Sequence, residues 1–183
     1  DETGGRSLRG EAPGRKGIMK RDVHFILNGR PVTFSVEPRT TLLRALREYG
    51  VTSVKRGCEE GECGTCTVVI DDLAQKSCMI LALEAEGKSV LTVEGLVGPK
   101  GELHPIQQAF VDEGAIQCGF CTPGMIMSAY AFLRKNPDPT EEDIRVALAG
   151  NLCRCTGYIP IFRAVQKAAA VMRELGHIPG RAR

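Results

Sequence analysis

Val23, Phe25 and Leu27 alternate with neighbours that face the other way, and Val32, Phe34 and Val36 alternate against Thr33 and Ser35. A period of two marks a half-buried strand. Asn28-Gly29 between the two runs is a dipeptide favoured in tight hairpin turns, where both central residues need positive φ. The spacing therefore predicts a β-hairpin. Leu42, Leu43 and Leu46 then share one helical face, with Gly50 as the stop. Past a cysteine-rich loop, Thr67–Ile70 predicts a strand ending in an Asp71-Asp72 turn, and Ser89–Val93 predicts another.

From about residue 96 the period changes to helical. Ile106, Ala109 and Phe110 form one apolar stripe. Thr122-Pro123 reads as an N-cap followed by proline in the first turn, opening a helix to about Lys135. Asn136-Pro137-Asp138-Pro139 breaks it. Thr140 and Asp143 read as a capping box for a helix that stops near Gly150. Pro160 opens the last helix, with Ile161, Val165, Ala168, Ala169 and Met172 on one side and Gly176 at its end. The reading divides the chain into an N-terminal extension at 1–20, a strand-rich domain at 21–95, a four-helix domain at 96–176 and a tail at 177–183. The extension, Gly-rich and without periodicity, reads as flexible.

The chain has 183 residues and is 43% hydrophobic, enough for ordinary cores without disulfide staples. The first residues are charged and Gly-rich and do not read as a secretory signal, and no apolar run reaches membrane-span length. The cytoplasm is the expected location. The formal charge of +2 gives no basic patch interleaved with aromatics, so nucleic-acid binding is not indicated. No phosphate loop or dinucleotide fingerprint is present. His24, His104 and His177 read as structural or solvated, and no catalytic acid, base or nucleophile stands out.

Eight cysteines change the picture. Cys58, Cys63, Cys66 and Cys78 read C-x4-C-x2-C followed by a gap of eleven; Cys118, Cys121, Cys153 and Cys155 read C-x2-C, a gap of thirty-one, then C-x-C. In a reducing compartment such sets point to metal rather than disulfides. The first set follows the plant-type [2Fe–2S] order, unlike the paired knuckles of structural zinc. Gly57, Gly61 and Gly64 among those cysteines suit a loop whose backbone approaches a cluster closely. The second set alone suits zinc, [2Fe–2S] or [4Fe–4S]. Hairpin, helix, metal loop and further strands suggest an α+β fold: a β-grasp, ferredoxin-like domain, then helices. In the helical half, Gly114…Cys118-x2-Cys121-Thr122 and Gly150…Cys153-x-Cys155-Thr156 repeat between helices. That predicts pseudo-two-fold symmetry, with each cysteine pair just before a helix N-terminus that favours thiolate.

CEEGECGTCTVVIDD, QCGFCTPGMIMSA and GNLCRCTGY resemble the small iron–sulfur subunit of the molybdenum hydroxylases, the family of xanthine dehydrogenase, aldehyde oxidoreductase and carbon monoxide dehydrogenase. The resemblance spans roughly residues 20 to 175. It implies two [2Fe–2S] clusters. One, farther from molybdenum, is held by Cys58, Cys63, Cys66 and Cys78. The nearer one is held by Cys118, Cys121, Cys153 and Cys155. It further implies a large subunit with a molybdopterin cofactor, a medium subunit with FAD, and a heterotrimer or a dimer of heterotrimers. Electrons are then expected to leave molybdenum singly and pass through this chain towards FAD. Gln117 and Cys155 are expected against the pterin. Rival readings are a free two-cluster ferredoxin-type carrier and a zinc-stabilised structural adaptor.

Overall fold

A computed structural model describes residues 19–176. The expected N-terminal extension, apart from Met19 and Lys20, and the expected tail lie outside the described residues. Strand β1 (Arg21–Leu27) pairs antiparallel with β2 (Arg30–Val36), in a register that sets Val23 opposite Phe34 and Phe25 opposite Val32. Asn28 and Gly29 both take positive φ, 51° and 78°, as the hairpin requires. Helix α1 (Leu42–Glu48) is capped by the Thr41 hydroxyl and buries Leu42, Leu43, Ala45 and Leu46. These side chains meet Val23, Phe25, Phe34 and Val36 in the first core.

Strand β3 (Thr67–Ile70) turns through Asp71 and Asp72, both at positive φ, into β4 (Leu73–Lys76), an edge strand the alternation did not reveal. Strand β5 (Ser89–Leu91) completes a sheet of order β2-β1-β5-β3-β4, parallel to β1 and antiparallel to β3. The strand expected to reach Val93 stops at Leu91, and Val93–Leu96 forms a 3-10 turn instead. The Asn28 side chain explains the stop. Its Oδ1 accepts from the Thr92 amide at 2.8 Å, and its Nδ2 donates to Thr92 Oγ1 at 3.0 Å.

All four residues of β3 are buried because both faces of that strand are covered. Val68 and Ile70 enter the first core, and Val69 enters a second core built by the helices. Those helices are α2 (Pro105–Asp112), α3 (Thr122–Lys135), α4 (Glu141–Leu148) and α5 (Ile159–Glu174). Helix α2 packs on α5, while α3 packs on α4 and across β3. Thr140 and Asp143 form the reciprocal cap expected of α4. His104 caps α2, its Nδ1 accepting from the Ile106 amide at 3.3 Å. The expected Thr122 cap is corrected: Cys121 occupies the cap position, and Thr122 lies inside the first turn with its hydroxyl buried and without a hydrogen-bond partner. A side chain already inside the helix no longer reaches the amides that a cap would serve.

Candidate metal centres

Three cysteines of the first set sit in the loop from α1 to β3, and Cys78 sits in a 3-10 turn (Ser77–Met79) after β4. Cys66 and Cys78 are buried; Cys58 and Cys63 are half-buried. The Cys58 sulfur accepts from the amides of Cys63 and Glu60, each at 3.4 Å, and these bonds pull its pKa down to about 7. Burial first, then hydrogen bonding with Cys66, pushes the Cys78 thiol up to about 11. That penalty on the charged form disappears once a metal takes the thiolate. The loop is braced from outside. Arg44 of α1 forks onto both oxygens of Glu59 at 3.0 Å, and Arg56 adds a third bond at 2.9 Å. Arg44, more than Arg56, holds the Glu59 carboxyl down at about 2. Glu59 takes positive φ (58°), a conformation usually left to glycine. At Gly57 a Cβ would stand 2.8 Å from both Cys63 Sγ and Thr65 Oγ1, so only glycine lets the loop close around the sulfurs.

The second set lies between helix ends. Cys118 and Cys121 separate α2 from α3, and Cys153 and Cys155 separate α4 from α5. Cys118 and Cys155 are exposed with their sulfurs 3.4 Å apart, while Cys121 and Cys153 are half-buried. The Phe120 amide, then Cys155, lowers the Cys118 thiol, whereas burial, then Cys153, pushes Cys121 up to about 12. The Cys153 sulfur lies 3.1 Å from Thr156 Oγ1. Gln117, next to Cys118 in the chain, is exposed.

Within each quartet the sulfurs act on one another: Cys58 with Cys63 and Cys78, Cys78 with Cys66, Cys118 with Cys155 and Cys153, and Cys121 with Cys153 and Cys118. Four thiolates at each place are the donor set of a binuclear cluster, in which each iron takes two. The residues present fit [2Fe–2S] in both places. With both clusters bound, the formal charge of +2 falls to about −2.

The two sites share a seam that the sequence did not announce. The Leu152 amide, next to Cys153, donates to the Cys63 carbonyl at 2.9 Å. Asn151, buried, donates from Nδ2 to the Gly64 carbonyl at 2.9 Å and accepts from Ser128 Oγ at 2.7 Å. Gly64 has positive φ (68°), and a Cβ there would stand 2.4 Å from the Gly150 carbonyl oxygen. The helical half thus leaves no room for a side chain at that position. Gly124 of α3 answers it, since a Cβ there would stand 2.2 Å from the Gly64 carbonyl oxygen. A glycine inside a predicted helix is the one sequence signal of this close approach.

Comparison with known proteins agrees with the two-site geometry. Residues 25–91 match the family described as "2Fe-2S iron-sulfur cluster binding domain", and residues 92–166 match "[2Fe-2S] binding domain". The chain is 51% identical to the nicotinate dehydrogenase small FeS subunit of Eubacterium barkeri, covering 82% of this chain and 96% of that protein. It is 50% identical to the xanthine dehydrogenase iron-sulfur-binding subunit of Escherichia coli O157:H7, covering 78% and 91%. Quinoline 2-oxidoreductase from Pseudomonas putida 86 superimposes with a TM-score of 0.82 at 44% identity, covering 85% of this chain and 98% of that one. The aldehyde oxidoreductase from Desulfovibrio desulfuricans superimposes at 0.80 over 84% of this chain but only 17% of its own, much longer chain. Two cysteine quartets, a ferredoxin-like sheet domain, a helical partner and these relatives place this chain in the small iron–sulfur subunits of the molybdenum hydroxylase family.

Proposed function

We propose that this chain conducts electrons between two partner subunits, a large one carrying the molybdopterin cofactor and a medium one carrying FAD. The seam carries this reading: the Cys63–Leu152 hydrogen bond ties one cysteine quartet to the other through backbone. Bound to the quartets, two [2Fe–2S] clusters would supply one-electron carriers between a two-electron oxidation at molybdenum and the flavin. Cys58, Cys63, Cys66 and Cys78 hold the one nearer FAD, in a β-grasp domain at 21–95. Cys118, Cys121, Cys153 and Cys155 hold the one nearer molybdenum, in a four-helix domain at 96–176. The α2–α5 and α3–α4 pairings support a pseudo-two-fold axis through that domain. Gln117 and Cys155 meet the pterin, consistent with their shared exposure. The assembly is a heterotrimer or its dimer, in the cytoplasm, where eight unpaired thiols remain available to iron.

Visible absorption and EPR on the purified complex test the reading. Two distinct signals on reduction, with about four irons per chain, support it. Colourless protein with stoichiometric zinc would sink it. A chain that purifies alone and serves many reductases would favour the free-carrier alternative.

A further inference from the structure

We propose that Thr156 is a positioning residue that sets the reduction potential of the second site, by donating its hydroxyl proton to the Cys153 sulfur. The inference rests on the [2Fe–2S] assignment to Cys118, Cys121, Cys153 and Cys155. Thr156 Oγ1 stands 3.1 Å from Cys153 Sγ, close for an oxygen–sulfur hydrogen bond. A thiolate ligand has no proton, so the hydroxyl is the donor. The direction is also enforced from the other side. The Tyr158 amide donates to Thr156 Oγ1 at 3.2 Å, which occupies an oxygen lone pair and leaves the hydroxyl proton for sulfur. The Thr156 amide adds a weaker contact to the same sulfur at 3.5 Å.

Tyr158 holds this arrangement at both ends. Its φ is 70°, a conformation rarely adopted by an aromatic residue. The turn brings its ring back so that the phenol oxygen accepts from the Cys153 amide at 2.9 Å. The ring also lies alongside Phe162, with centroids 6.1 Å apart. Backbone strain fixed by surrounding contacts beside a site signals pre-organisation. Here it fixes the distance between one hydroxyl and one sulfur.

The first site supplies an internal contrast. Thr65 Oγ1 lies 3.3 Å from Cys63 Sγ but also 3.4 Å from the Lys55 carbonyl oxygen. One hydroxyl proton is divided there between two acceptors, whereas Thr156 gives its proton to sulfur alone in the observed geometry. Reduction adds negative charge to a cluster and its sulfurs. A donor aimed at sulfur therefore binds the reduced form more strongly and raises the potential.

The test is an EPR-monitored redox titration of the purified complex. Thr156→Val should make the second signal about tenfold more oxidised at a fixed poise, a negative shift of about 59 mV for a one-electron centre. Thr156→Ser should titrate like the wild type, and Thr65→Val should shift the first signal by less. Where Thr156→Val fails to retain its cluster, Thr156→Ala carries the same expectation. Two intact signals with an unmoved midpoint, or a serine variant shifted as far as the valine one, would overturn the inference while leaving the cluster assignment standing. Wild-type complex without iron–sulfur signals would overturn the assignment itself, and the inference with it.

Discussion

The two cysteine quartets differ in where their sulfurs end up. In the first, Cys66 and Cys78 are 3% and 6% exposed, closed in by the sheet, α1 and the 3-10 turn. In the second, Cys118 and Cys155 lie exposed at the ends of loops. A buried donor is insulated by its own chain. An exposed donor beside half-buried ones leaves a flank open to solvent in this chain. Cluster potential and reactivity both follow solvent access, so the two sites are expected to differ in both.

Removing one ligand from each site tests this most severely. In the complex, Cys63→Ser is expected to erase one EPR signal and stop electrons reaching FAD, while substrate still reduces molybdenum. Cys155→Ser is expected to perturb the other cluster and loosen the pterin end. Surviving turnover with the physiological acceptor in Cys63→Ser would reverse the assigned order of sites. Unchanged molybdenum loading together with an unchanged cluster spectrum in Cys155→Ser would refute its placement against the pterin.

The seam that makes the two sites neighbours is the next target. Gly124→Ala gains about 1 kcal/mol of helix propensity, but its methyl would overlap the Gly64 carbonyl oxygen, where no flexible side chain can give way. We expect a net loss of about 2 kcal/mol and a lower thermal midpoint in the visible absorbance. A midpoint that rises would show that the backbones separate freely. Asn151→Ala strips one partner each from Ser128 and the Gly64 carbonyl, at a cost of about 1–3 kcal/mol. Both EPR signals should persist while the magnetic interaction between the two reduced centres weakens. An unaltered interaction would mean that the Leu152–Cys63 bond holds the spacing unaided.

A smaller effect concerns the helical half alone. Lys167 of α5 reaches Asp112 at 2.9 Å and Glu113 at 3.3 Å at the end of α2, and it is the main cause of the lowered Asp112 pKa. A carboxylate with a depressed folded pKa stabilises the fold above its unfolded value, and that stabilisation fades as pH falls through the folded one. Lys167→Met should therefore be less stable than the wild type at neutral pH, with the gap closing on acid titration as Asp112 protonates. The difference should be slight, because the pair is exposed, and it should fade with added salt. Equal acid profiles for variant and wild type would show that the pair contributes nothing measurable.

Much of this was legible in the residues. Hairpin alternation, the Asn28-Gly29 turn, the Thr140–Asp143 cap and the C-x4-C-x2-C loop are local, and local signals survive folding. Strand β4 was hidden because on this edge Leu73 and Ala74 are exposed and Gln75 and Lys76 half-buried, so no alternation develops. Thr122 misled because a cap is defined by where the backbone turns helical, and that occurs one residue earlier, at Cys121. Asn151 and Gly64 are separated by 87 positions along the chain, and no periodicity within either segment encodes their meeting. The meeting of sulfurs within each quartet likewise depends on how loops from different elements face one another.

The approach of Gly64 to Gly124 bears on how such a chain can be rebuilt. Its halves look like building blocks, each with a domain family of its own. Yet a ferredoxin-like block borrowed from another lineage, with any side chain where Gly64 stands, would be held away by the width of a methyl group. The Leu152–Cys63 bond would open with it, and with that the shortest covalent-plus-hydrogen-bond link between the quartets. Shuffling at the domain boundary therefore has a compatibility rule written in two hydrogen atoms, and grafts that break it should fold as separate pieces that hold iron but no longer conduct as one.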